Sequence, residues 1–105
     1  MLFIELPLFD RYLRLTDDEL RAVQREIVDN PLCGDLIPGG RGLRKMRAAI
    51  GGRGKRGGGR VIYYFWTARD SCYLVFAYSK TKQGDLTAVQ LKRLVDVLNE
   101  ELSDG

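Results

Sequence analysis

The residues with chemistry to offer are crowded into one stretch, GRGLRKMRAAIGGRGKRGGGR, at positions 40–60. Residues 41–60 carry eight basic side chains (Arg41, Arg44, Lys45, Arg47, Arg53, Lys55, Arg56 and Arg60) and no acidic one. Lysine and arginine displace counterions from a nucleic-acid backbone, and arginine also pairs with phosphate through two parallel hydrogen bonds. Glycines between them let backbone N–H groups approach phosphate oxygens. The bland alternative is a solvated hairpin loop whose charges keep the chain soluble. The density of cations, the lack of acids and the aromatic flank favour a polyanion-binding surface.

Strand alternation sharpens this reading. Lys45 and Arg47 fall on one face of a strand, and Arg44, Met46 and Ala48 on the other. On the next strand Arg60 shares a face with Ile62, Tyr64 and Trp66. A hairpin sets Lys45, Arg47 and Arg60 side by side. Like charges this close repel unless a polyanion neutralises them, and no acid lies nearby in sequence.

The other chemistries are poorly served. The chain has no histidine, so Ser-His-Asp and Cys-His catalysis are excluded. Its two cysteines, Cys33 and Cys72, form no CxxC pair and are expected to be idle thiols in reducing cytosol. No metal or other cofactor is implied. The glycine run leads into RVIYYFW rather than a helix, and no GxxxxGK[ST] is present, so it is not a nucleotide loop. Nor does a basic run between core strands suit a nuclear localisation tract.

The elements that must position the cations follow from periodicity. Residues 2–6 (LFIEL) read as an edge or first strand, and Leu8–Leu15 as a short helix from apolar spacing. Thr16 and Glu19 form a capping box for a helix with Leu20, Val23 and Ile27 on one side, stopped at Asn30-Pro31. Residues 33–42 are a loop, 43–50 a strand, 60–67 the strongest strand, and 72–79 another. The short connection between the last two predicts an antiparallel hairpin. Tyr63, Tyr64, Phe65 and Trp66 are mostly core, whereas Tyr78, at a strand end beside Lys80, either covers the core or stacks on a base. Thr87 and Gln90 cap an amphipathic C-terminal helix. The predicted architecture is one α+β domain over residues 1–105, in the order β-α-α-β-β-β-α. Its sheet is mostly antiparallel, with helices packed against it.

Charge is directional. Residues 1–40 carry four basic and eight acidic side chains and residues 61–105 five and six, so the net +3 hides a local excess. No apolar run reaches membrane-spanning length, and the first residues lack a basic signal-like start. The expected compartment is therefore the cytoplasm.

Three segments, GDLIPGGRGLRKMR, GKRGGGRVIYYF and VFAYSKTKQGDLTAVQLKRL, resemble the HigB-like branch of the RelE/ParE toxin superfamily. The resemblance runs from about residue 3 to residue 100. It implies a RelE-like fold, compact α+β with a curved antiparallel sheet, and a toxin of a type II toxin-antitoxin system. Such toxins enter the ribosomal A site and cleave mRNA without metal, the ribose 2′-OH attacking its own phosphate. The implied partners are the ribosome, mRNA and a helix-turn-helix, HigA-like antitoxin. Operator DNA is reached only through the antitoxin, and no membrane is involved.

Matched to the family pattern, KMR gives Lys45 and Arg47, the strand-opening arginine gives Arg60, and the basic position after the last strand gives Lys80. Relatives place an arginine and then a tyrosine where this chain has Thr81 and Thr87, and Lys82 stands in for the missing arginine. The expected catalytic set is Lys45, Arg47, Arg60, Lys80 and Lys82. Arg41, Arg44, Arg53, Lys55, Arg56 and Tyr78 are expected to touch RNA or ribosome. The physics is compatible with the roles the resemblance implies: a lysine among cations gives up its proton more readily and suits a general base, and arginine stays charged and stabilises the extra charge on a pentacoordinate phosphorus. Which of Lys45, Lys80 and Lys82 moves the proton is left open. Two other functions compete: a ParE-like inhibitor of DNA gyrase without nuclease activity, and an inactive RNA-binding regulatory module.

Overall fold

A computed structural model describes residues 1–104. Five strands and two helices follow in the order β1 (Leu2–Glu5), α1 (Asp17–Asp29), β2 (Asp35–Leu36), β3 (Arg44–Ala48), β4 (Gly59–Trp66), β5 (Ser71–Ser79) and α2 (Ala88–Asp104). One short 3-10 turn, Thr67–Arg69, joins β4 to β5. The strands form a single mixed sheet ordered β1-β5-β4-β3-β2. β1 pairs parallel to β5, and every other pairing is antiparallel. The chain is a small α+β domain with helices packed on the sheet.

The two helices cover opposite faces. Val23 and Ile27 of α1 pack with Met46, Ala48, Val61, Tyr63, Cys72 and Leu74. Leu94 and Leu98 of α2 pack with Ile62, Tyr73, Val75, Phe76 and Tyr78. Both helix starts use the capping boxes legible in sequence. Thr16 Oγ1 accepts from the Glu19 N–H at 3.1 Å, and Glu19 accepts from the Thr16 N–H at 2.8 Å. Thr87 and Gln90 make the same reciprocal pair at 3.1 and 3.0 Å.

The order differs from expectation in two places. Leu8–Leu15 is not a helix: turns closed by Phe9 N–H to Leu6 O and Arg11 N–H to Leu8 O run to Arg11, and the chain beyond them is irregular. The reason lies in where its apolar side chains go. Leu8 joins the core under α2, while Phe9, Leu13 and Leu15 join the core under α1. One helical stripe cannot serve both faces of a sheet. The loop expected at 33–42 contains the two-residue β2, which lines the outer edge of β3.

Within β5 the alternation breaks once. Ile62 faces Phe76 but Tyr63 faces Leu74, so Val75 is an extra residue opposite β4. Before this bulge the even-numbered Cys72 and Leu74 look toward α1; after it the even-numbered Phe76 and Tyr78 look toward α2. The bulge is therefore what brings Tyr78 to the face that carries the cations. Among the described residues, no helix is long and apolar enough to cross a membrane.

Candidate nucleic-acid interface

Strand register builds the interface. Arg47 of β3 is the Cα partner of Arg60 of β4, and Arg60 is the partner of Tyr78 of β5. One row therefore runs Arg47, Arg60, Tyr78 across three strands. Lys45 lies two residues along β3, opposite Ile62, on the same face. Lys80 follows Tyr78 by two residues, and its backbone N–H continues the sheet by bonding Gly58 O at 3.2 Å. The juxtaposition of Lys45, Arg47 and Arg60 expected from alternation is the one the register produces.

Two glycines are required for these strand ends to meet. A Cβ on Gly58 would overlap the Ala48 carbonyl oxygen, and one on Gly59 would come within 2.6 Å of Tyr78 O. The glycines thus serve close backbone approach between β3, β4 and β5. At the start of the run, the Gly51 N–H is already given to Glu19 Oε2 at 2.7 Å rather than held ready for phosphate.

Arg60 is buried, with 8% of its surface exposed. One guanidinium nitrogen, Nη1, donates to Gly59 O at 2.9 Å and to Lys55 O at 3.4 Å. No carboxylate pairs with it among the described residues. Arg47, its neighbour across the strands, is exposed and likewise has no ion pair among them. A buried cation without a counter-charge is costly, and carbonyl bonds offset only part of that cost. The two guanidinium groups leave a local positive potential that an external anion would neutralise.

Lys45 is different. Its Nζ donates to Asp85 Oδ1 at 3.1 Å, so an acid 40 residues away does what no neighbour in sequence does. Asp85 also accepts the Leu86 N–H at 2.7 Å and lies 3.5 Å from the Tyr78 hydroxyl. The Leu86 N–H, and then Lys45, hold the Asp85 carboxyl below the usual carboxylate range. Burial, with Asp85 beside it, pushes the Tyr78 phenol up to about 12, so it remains a protonated donor at neutral pH. The Tyr78 ring is 2% exposed, which leaves no face open for a base to stack on. Tyr78 enters the site through its hydroxyl alone.

The remaining basic residues divide by position. Lys80 and Lys82 are exposed on the loop after β5 and have no side-chain partner among the described residues. Arg41, Arg53 and Arg56 are exposed on loops, Arg41 with a left-handed backbone at φ 53°. Lys55 is drawn toward α1 by Glu26, 2.7 Å away. Arg44 faces the α1 side, where Nη1 donates to Gly34 O at 2.8 Å. It braces the loop that Tyr63 also holds, by donating to Pro31 O at 2.8 Å and accepting from Gly34 N–H at 2.9 Å.

Asp85 is the site residue that sequence reasoning missed. Its only signal is being the one acid of the polar loop at residues 80–85, just before a capping box, which says nothing of Lys45. No protein-family model matches this chain.

Proposed function

We propose that this chain is a HigB-like toxin of the RelE type, an endoribonuclease that works on mRNA in the ribosomal A site. The observation that carries the reading is the buried Arg60 without a counter-charge among the described residues, set in register with the exposed Arg47. A phosphodiester is the anion that two such guanidinium groups match in shape and charge.

The reaction needs three things from the chain. The scissile phosphate must be held, the proton of the ribose 2′-OH removed, and a proton given to the departing 5′ oxygen. The 2′ oxygen then bonds to phosphorus as the P–O5′ bond breaks, leaving a 2′,3′-cyclic phosphate and a 5′ hydroxyl. Arg60 and Arg47 hold the phosphate and stabilise its added charge in the transition state. Lys45, paired with Asp85 in the RNA-free protein, serves as a cation beside the phosphate. Lys80 and Lys82, without a side-chain partner among the described residues, are the groups left to move protons. The cognate partner is a helix-turn-helix, HigA-like antitoxin, and the setting is the cytoplasm.

Expression of the chain in a bacterium followed by mapping of mRNA 5′ ends tests this. New ends within translated frames, lost in Arg60→Ala and Arg47→Ala at equal protein level, are the expected result. Gyrase-dependent DNA breaks in place of new mRNA ends would assign the chain to the ParE-like inhibitors instead. Neither signal would leave a binding module.

A further inference from the structure

The cationic face carries an acid, and its placement is specific. Asp85 presents Oδ1 to Lys45 Nζ at 3.1 Å, to Leu86 N–H at 2.7 Å and, at 3.5 Å, to the Tyr78 hydroxyl. An ammonium, a backbone N–H and a phenol converging on one oxygen are the donors that bind a phosphate oxygen elsewhere. Lys45 shares its face with Arg47 and Arg60. The carboxylate therefore lies on the same face as the two guanidinium groups without neutralising either.

We propose that Asp85 is a resident stand-in for phosphate, which holds Lys45 in the RNA-free protein and is displaced from it when an RNA backbone binds. The inference rests on the reading of this face as a phosphate-backbone site, and adds a regulation of that site. Three observations support displacement. The Asp85 side chain is 73% exposed, so leaving Lys45 does not expose a buried group. Exposed ion pairs are weak and are screened by salt, so a polyanion competes with them readily. The carboxylate is anchored independently by Leu86 N–H, so it can give up Lys45 without losing its place in the loop.

Asp85 then acts as a threshold. A single weak anion does not gain enough from Lys45 to replace an intramolecular carboxylate. A strand that also engages Arg47 and Arg60 does. The face is protected from stray small anions and yields to a polyphosphate.

Fluorescence anisotropy with a short single-stranded RNA, 2′-O-methylated to prevent cleavage, tests the proposal. Asp85→Asn removes the charge but keeps an oxygen for Leu86 N–H, and Asp85→Ser does the same with a smaller side chain. Both are expected to bind the RNA about fivefold tighter than wild type at low salt, the shift an exposed ion pair of this class imposes. The gap should close as salt rises, and shrink when Lys45→Met is added. Equal or weaker binding by both variants, with wild type still binding, overturns the proposal and makes Asp85 a positioning residue for Lys45. No binding by wild type or by either variant overturns the reading of the face as well.

Discussion

Arg47 and Arg60 face each other across two strands, yet the chain holds them differently. Arg47 is exposed and has no partner among the described residues, so Arg47→Ala should leave stability within about 0.5 kcal/mol of wild type. Its loss should still lower cleavage by roughly a hundredfold, the usual cost of one donor at a developing charge. Urea unfolding read alongside mRNA cleavage separates the two effects, and an active Arg47→Ala would remove it from the site. Arg44 predicts the reverse. Its Nη1 bond to Gly34 O, at 2.8 Å on the α1 side, makes it a brace for the loop before β2. Arg44→Ala should cost about 1–3 kcal/mol of stability, since a charge-assisted bond disappears and a carbonyl is left without its donor. RNA affinity of the folded protein should change little. A large loss of affinity with an unchanged urea midpoint would return Arg44 to the interface.

Elements whose signals are local were legible in the chain. The strands at β4 and β5 alternate or run apolar over their whole length, and both helix starts carry reciprocal caps, so their positions follow from neighbours a few residues apart. The segment at residues 8–15 has helical spacing, but its side chains serve cores on two faces, and only tertiary structure reveals that division. The extra residue Val75 leaves no mark in the alternation of an all-apolar run, so the turn of Tyr78 toward Arg60 could not be foreseen. The partner of Lys45 is remote in the same way. The α1 cap is also more than a local signal, because Glu19 accepts from both the Thr16 and the Gly51 N–H groups and so ties the glycine-rich loop to the helix. These bonds hold its carboxyl below the ordinary range, the Thr16 N–H contributing most. A carboxyl with a depressed folded pKa contributes stability in full above its unfolded value and loses it as pH falls through the folded one. The urea midpoint should therefore decline below the ordinary carboxyl value of 4.5, and Glu19→Gln should flatten that decline. An unchanged pH profile in Glu19→Gln would mean that the loop is not held by this charge.

Across the whole molecule, the eight cations of residues 41–60 do not act as one patch. Lys45 and Lys55 are engaged by Asp85 and Glu26, and Arg44 is turned to the other face of the sheet. What remains is a short row built on rigid strands, with Arg53 and Arg56 on the glycine-rich connection, and Arg41 on the turn before β3, outside it. Strands hold groups in the geometry a reaction needs, whereas a loop supplies charge that draws the substrate in. The two arginines of the loop should then add affinity without adding rate. In Arg53→Gln/Arg56→Gln, RNA affinity should fall for all sequences alike. The slope of log affinity against log salt should flatten by about 0.7 for each single-strand phosphate that the protein no longer neutralises. The single-turnover cleavage rate at saturating substrate should stay unchanged, because the row of Arg47 and Arg60 is intact. Titrations at several salt concentrations, paired with single-turnover assays, read both quantities. An unaltered salt slope would make the loop a solubilising segment, and a reduced saturated rate would place one of its arginines at the reacting phosphate.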